Sequence, residues 1–210
     1  MNPKRATVYV VDDNVRMLKA LQLLLQKAGY VVRTYQSVEV FLMNFKPGVS
    51  GCVISDLSMP GRNGLALQRE LNARGGHGPI IFLSGQSSVP ESVQAMKEGA
   101  MDFLTKPVDE KVLLQAVATA IARDAETREM HRRIDTLTER ERGVMERLAA
   151  GDLNKQIAAD FGVAERTIKF HRGNLMHKLG ITSPALLGRF AAQAQVVPAA
   201  STLLTGSPSK

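Results

Sequence analysis

The sequence has no tryptophan, one cysteine and only 5% aromatic residues among its 210. A single thiol, Cys52, excludes an intrachain disulfide, and its apolar neighbours make it a small core residue rather than a nucleophile. So few aromatics argue against a large aromatic-lined pocket for a small ligand. No apolar run approaches the roughly 20 residues that a membrane-spanning helix needs. The N-terminus lacks a signal-peptide core, so a cytoplasmic protein is expected. From Val108 to Arg142 there is neither Gly nor Pro, so nothing there stops a helix.

What is present is enough chain for two small domains, 44% hydrophobic residues and a formal net charge of +7. The positive excess is shared almost evenly between residues 1–122 and 123–210. In the second part it concentrates on one helix-length segment, Glu165–Leu179, with Arg166, Lys169, Arg172 and Lys178 against Glu165. A polyanion partner or a merely solvated basic face would both account for it.

The first part alternates short β-branched runs with helical spacing. Strands are expected at Thr7–Val11, Tyr30–Tyr35, Cys52–Ser55, Ile80–Ser84 and Met101–Thr105. Helices are expected at Asn14–Ala28, from Ser37 to about Phe45, at Gly64–Arg74, at Pro90–Glu98 and from Asp109. Turn residues such as Pro47-Gly48 and Gly75-Gly76-His77-Gly78 separate them. Strict alternation predicts an α/β fold, a five-stranded doubly wound, flavodoxin-like sheet of order 2-1-3-4-5. Ligands then bind at the carboxyl edge, between strands 1 and 3.

That edge is where the chemistry lies. Asp12 and Asp13 end the first strand, Asp56 the third, Ser84 the fourth, and Lys106-Pro107 the fifth. Three gathered carboxylates repel: at roughly 5 Å and an effective dielectric near 20, each pair costs about 3 kcal/mol. A hard divalent cation such as Mg2+ removes that cost, takes oxygen ligands and accepts phosphate oxygens. Lys106 adds a positive charge, and Ser84 a hydroxyl donor for a phosphoryl oxygen. The set suits transfer of a phosphoryl group to an aspartate. Without a metal, Lys106 in a salt bridge to the acids is the competing reading.

The second part reads as four helices. Thr138-Glu139-Arg140-Glu141 is a capping box. Helices follow it to Gly151, over Asn154–Phe161, over Glu165–Leu179 to Gly180, and over Pro184–Gln193. Helix, Gly-containing turn and basic helix make a helix-turn-helix layout. Projected at 100° per residue, Leu175 and Leu179 fall within about 20° of Ile168, a core stripe. Arg166, Lys169, Phe170, Gly173, Asn174 and His177 fall opposite, while Arg172 and Lys178 flank that face and suit phosphates. His171 reads as a packed histidine. Between the two parts lies a polar helical linker, 123–136, solvated or forming a coiled-coil seam through Ile121, Met130 and Ile134. Residues 197–210 are Ser/Thr/Pro/Gly-rich and expected to be disordered.

Val10-Val11-Asp12-Asp13, Asp56-Leu57-Ser58-Met59-Pro60-Gly61, Ser84-Gly85 and Asp102-Phe103-Leu104-Thr105-Lys106-Pro107 resemble the receiver domain of two-component response regulators. The likeness covers about residues 5–122, within a receiver domain expected at 1–122. It implies Asp56 as phospho-acceptor, with Asp12, Asp13, Asp56 and the Ser58 carbonyl binding Mg2+. It further implies Ser84 as switch hydroxyl, Phe103 as switch aromatic, and Lys106 as the phosphoryl contact before a cis bond to Pro107. Ser84 replaces a commoner threonine and Gln86 a commoner histidine.

Leu137-Thr138-Glu139-Arg140-Glu141, Gly151-Asp152-Leu153-Asn154-Lys155-Gln156-Ile157-Ala158, Arg166-Thr167-Ile168-Lys169-Phe170-His171 and Lys178-Leu179-Gly180-Ile181 resemble the LuxR-type helix-turn-helix over about residues 136–195, in a domain expected at 137–196. Together the two likenesses are those of the FixJ/NarL class. They imply base contacts from Lys169, Phe170 and Gly173, phosphate contacts from Asn154 and Lys155, and Arg166 and Thr167 in the DNA interface. They also imply dimerisation through the last helix, a histidine kinase partner, promoter DNA and RNA polymerase. The receiver would catalyse only its own phosphorylation and dephosphorylation, so a conventional enzyme is not expected. A magnesium phosphatase with an aspartyl intermediate would favour a second acid two residues after the nucleophile, where Ser58 stands.

Overall fold

A computed structural model describes residues 6–46, 50–74, 78–85, 89–183, 186–188 and 190. The Pro47-Gly48 turn, Gly75 to His77, Gln86, most of the expected last helix and the 197–210 tail lie outside the described residues. The chain divides into two compact units, Met1–Glu126 and Thr127–Lys210.

In the first unit β1 (Thr7–Val11), β2 (Val31–Tyr35), β3 (Gly51–Asp56), β4 (Ile80–Ser84) and β5 (Asp102–Thr105) form one parallel sheet in the order β2-β1-β3-β4-β5. Between them run α1 (Val15–Lys27), α2 (Val38–Asn44), α3 (Gly64–Ala73) and α4 (Val89–Lys97), and α5 (Glu110–Asp135) follows. The side-chain period of two sends Val8, Val10, Cys52, Ile54, Ile81 and Leu83 to one face, against α1 and α5. Tyr9, Val11, Val53, Ile80 and Phe82 face the other way, against α2, α3 and α4. The central strands are buried on both faces, as in sheets covered by helices on either side.

Local chemistry starts the helices. Asn14 Oδ1 accepts from the Arg16 and Met17 N–H groups, Ser37 Oγ from Val40 N–H, and Asn63 Oδ1 from Ala66 N–H. Cys52 is buried, and burial, with the nearby Asp124 charge second, pushes its thiol up to about 12; it is core, not nucleophile. Gly51 is required where it stands, because a Cβ there would lie 1.8 Å from the Thr7 carbonyl oxygen.

The helix α5 is continuous over 26 residues, and the division between the units falls inside it. Of the two readings of this stretch, the alternative seam does not form among the described residues. Ile121 is buried in the core of the first unit, whereas Ile134 is buried, and Met130 partly so, in that of the second. Nor is the whole stretch solvated. Asp124 is buried, and its Oδ2 accepts from Ser50 Oγ at 3.0 Å and Gly51 N–H at 2.9 Å. A buried carboxylate needs such donors.

The second unit packs α6 (Glu139–Ala149), α7 (Asn154–Asp160) and α8 (Glu165–Leu179) around Val144, Met145, Ile157, Ile168, Leu175 and Leu179. Leu187 joins this core, and Phe190 packs on it. The capping box at Thr138 and Glu141 is complete.

Asp124 gives a test. Asp124→Ala leaves the buried Gly51 N–H without this acceptor, and should cost the first unit roughly 1–3 kcal/mol in urea unfolding. Asp124→Asn retains an acceptor oxygen and should cost less.

Candidate functional site: an acidic sheet edge and a basic helix

Sheet register brings the distant acids together. Val11 pairs with Ser55, so the next residues, Asp12 and Asp56, leave adjacent strands side by side. Asp56 pairs with Leu83, which sets Ser84 one step further along β4. Lys106 N–H donates to the Ser84 carbonyl at 2.7 Å, placing Lys106 at the same edge. One carboxylate oxygen from each of Asp12, Asp13 and Asp56 lies within 4.8 Å of the others.

Asp12 and Asp56 are buried, at 1% and 8% exposure, while Asp13 is exposed. Lys106 Nζ donates to Asp12 Oδ2 at 2.8 Å and to Asp56 Oδ2 at 2.7 Å. Burial pulls the Lys106 ammonium toward losing its proton. The hydrogen bonds and charges of Asp12 and Asp56 outweigh that, leaving its pKa above the ordinary lysine value. The remaining oxygens are also engaged: Asp12 Oδ1 accepts from Asn14 N–H at 2.8 Å, and Asp56 Oδ1 from Ser58 N–H at 3.1 Å.

Ser84 is fully buried, yet its hydroxyl has no hydrogen-bond partner among the described residues. A buried orphan hydroxyl costs free energy unless a ligand satisfies it. Phe103 is half-buried against the core beneath α4, and Lys106-Pro107 is a cis peptide. Hard oxygen donors, one cation and a free hydroxyl at one edge fit Mg2+ and a phosphoryl group. The salt-bridge reading of Lys106 is also realised, since the lysine balances the acids in this state.

On α8 the buried stripe is Ile168, Leu175 and Leu179. Arg166, Lys169, Phe170, Gly173 and His177 are exposed; Thr167, Arg172 and Asn174 are half-buried beside them. Among the described residues Lys169 meets Glu165 at 3.0 Å, a solvated pair that holds it weakly. In the first turn of α7, Lys155 is exposed and Asn154 half-buried.

Lys178, expected to meet a phosphate, has partners within the unit. Lys178 Nζ turns inward, donating to Glu141 Oε2 at 2.7 Å and to the Thr136 carbonyl at 3.2 Å. Glu141 is buried and Lys178 supplies its cation, while the Lys178 residue stays exposed on α8. Arg133 completes the arrangement, donating to the Leu179 carbonyl at 3.1 Å. The turn ending α5 and the end of α8 thus exchange hydrogen bonds. Gly180 ends α8 with φ 68, and a Cβ there would stand 2.9 Å from Arg133 Nη1. Sequence patterns missed this set, because Glu141 and Lys178 are 37 residues apart and only the capping half of Glu141's role is local.

A doubly wound sheet with an acidic, lysine-bridged edge, joined to a helix-turn-helix with a basic outer face, defines a response regulator. This class is a phosphorylation-dependent transcription regulator. The chain belongs to that family. Residues 8–118 match the family described as response regulator receiver domain, and residues 135–191 the bacterial regulatory proteins of the luxR family.

The chain is 40% identical over 204 residues to the transcriptional regulatory protein FixJ of Azorhizobium caulinodans, covering 94% of this chain and 97% of that one. It is 40% identical over 194 residues to nodulation protein W of Bradyrhizobium diazoefficiens, covering 89% and 86%. The solved structure of the response regulator StyR is similar at TM-score 0.58 and 37% identity, covering 90% of this chain and 98% of that chain. Full-length FixJ from B. japonicum is similar at TM-score 0.54 and 37% identity, covering 92% and 98%.

Glu141 gives a pH test. Burial raises its pKa, but the Lys178 hydrogen bond and the Thr138 cap outweigh burial and leave it below the ordinary 4.5. The stabilisation is therefore complete above about pH 4.5 and is lost as pH falls through the lower folded value. Lys178→Gln should cost roughly 1–3 kcal/mol at neutral pH. It should also flatten the acid limb of stability, read by amide exchange of α6 and α8.

Proposed function

We propose that Asp56 receives a phosphoryl group from a partner histidine kinase in a Mg2+-dependent reaction, and that the phosphorylated chain binds promoter DNA as a homodimer. The observation that carries this is Lys106 bridging Asp12 and Asp56 beside the Ser84 hydroxyl, which has no partner among the described residues. An Asp56 carboxylate oxygen attacks phosphorus; the phosphorus–nitrogen bond of the donor phosphohistidine breaks, and the imidazole nitrogen keeps the electron pair. The Asp12, Asp13 and Asp56 carboxylates and the Ser58 carbonyl would hold a magnesium ion, whose charge offsets that of the phosphoryl oxygens. Ser58 N–H fixes one Asp56 oxygen, and the Lys106 ammonium remains to pair with a phosphoryl oxygen.

With the phosphoryl group in place, the Ser84 hydroxyl gains the acceptor it lacks. Its inward movement frees space that the half-buried Phe103 ring follows. This alters the surface of α4 and β5, where the homodimer forms. Moving such an equilibrium from 1:99 to 99:1 takes about 5.5 kcal/mol of differential stabilisation. The chain turns over no separate substrate; it catalyses only its own phosphorylation and dephosphorylation. In the second unit α8 enters the major groove, with Arg166, Thr167, Lys169, Phe170, Asn174 and His177 toward the bases. Asn154, Lys155 and Arg172 meet phosphates. RNA polymerase is the further partner of a promoter-bound regulator. No helix among the described residues is long and apolar enough to cross a membrane, and we place the protein in the cytoplasm.

Two outcomes check this reading. Acetyl phosphate with Mg2+ should give an alkali-labile phosphate adduct by mass spectrometry, and Asp56→Asn should abolish it; equal labelling of that variant would remove Asp56 as acceptor. Arg172→Ala should weaken binding to all DNA sequences alike and reduce the salt slope by about 1. A sequence-selective loss would assign Arg172 to a base instead.

A further inference from the structure

We infer that Arg147 is a positioning residue for DNA binding: it holds the Asp152 and Asp160 carboxylates on the α6 side of α7, away from the phosphates that the first turn of α7 meets. The inference rests on the proposed reading of Asn154 and Lys155 as phosphate contacts. That reading raises a problem of sign. The segment Asp152–Asp160 carries two acids, Asp152 and Asp160, against one base, Lys155. A segment that approaches a polyanion should not be net acidic. Asp152 stands only two residues before Asn154, and its negative charge opposes a phosphate there.

One guanidinium removes the conflict. Arg147 lies in the last turn of α6 and is half-buried. Its Nε donates to Asp152 Oδ2, and its Nη2 donates to Asp160 Oδ2. Asp152 comes just before α7 and Asp160 ends it, so one side chain takes the carboxylates at both ends of the helix. With Arg147 included, the group is neutral. Lys155 is left exposed on the first turn.

Fold stability does not account for this arrangement. The side chains of Arg147, Asp152 and Asp160 are 36%, 30% and 53% exposed, and ion pairs that solvated contribute little. Other contacts hold the chain in place. Asp152 N–H donates to the Arg147 carbonyl at 3.0 Å, a backbone bond that any residue at 147 would make. Ile157 and Ala158 bury the inner face of α7 in the core of the second unit. The Arg147 side chain therefore governs where two carboxylates point and how much charge they show, rather than where α7 lies.

The experiment titrates the full chain against a duplex selected from a random pool and against random duplex, at several salt concentrations, with acetyl phosphate and Mg2+ throughout. Arg147→Ala should bind both duplexes about fivefold more weakly at low salt, the effect of one uncompensated charge beside a phosphate in water. The deficit should shrink as salt rises, because screening weakens repulsion between exposed charges. A lost structural clamp would instead lower the melting temperature and leave a deficit at high salt. Arg147→Ala combined with Asp152→Asn should return to wild-type affinity. Arg147→Ala combined with Glu126→Gln restores the same net charge from the other unit and should not. Asp152→Asn alone should bind at least as tightly as wild type, the opposite sign from a clamp that needs both partners. Unchanged binding by Arg147→Ala overturns the inference, as does equal rescue by Glu126→Gln or a deficit that high salt leaves intact. Lys155→Ala tests the reading beneath it, and should weaken both duplexes alike and reduce the salt slope by about 1. If it does so while Arg147→Ala binds as wild type, α7 meets phosphates and only the role of Arg147 falls. If Lys155→Ala binds both duplexes as wild type, α7 leaves the DNA interface and the inference falls with it.

Discussion

The ammonium of Lys106 stands between two buried carboxylates, and the acidic edge is tenable because of it. Asp12 and Asp56 leave adjacent strands with almost no solvent to screen them. Their repulsion, of order 3 kcal/mol at such separations, is offset by a cation within hydrogen-bonding distance of both. Such a trio does little to stabilise a fold, because desolvation consumes most of the attraction. It does let two acids stand close together in a site with almost no solvent. The same lysine is then correctly placed for a third anion arriving at the edge.

The second unit solves a similar problem with different parts. Glu141 is buried, and its carboxylate closes the Thr138 cap while meeting Lys178 from the end of α8. One acid therefore ties the start of α6 to the far end of the basic helix. Arg133 ties the last turns of α5 to the same place. These contacts set where α8 ends without using the face that carries Lys169 and Phe170. The cation that meets Glu141 and the cations of the outer face thus leave different sides of one helix.

The long α5 shows how a polar sequence can be structurally divided. Its first turns present Leu113, Val117, Ala120 and Ile121 to the receiver core, and its last present Ile134 to the other. Between them Asp124 hydrogen-bonds to the start of β3. Each end of the helix is claimed by a different unit, which explains why neither a plain linker nor a seam describes it.

Much of the first unit was legible in the sequence. Short β-branched runs, helical apolar spacing and breakers located the strands and helices, because these signals act over a few residues. The acids at strand ends pointed to the edge, since parallel strands of a doubly wound sheet all finish there. The helical projection of α8 sorted Ile168 from Lys169 correctly, because a straight helix makes angle a function of number alone. What tertiary structure decided were pairings across distance: Lys106 with Asp12 and Asp56, Asp124 with Gly51, and Lys178 with Glu141. The charge of Lys178 and its place on the helix were both visible in the sequence; its bond to Glu141 was not. The buried acid that claims it lay 37 residues away, and no local pattern records which charge a fold will enclose.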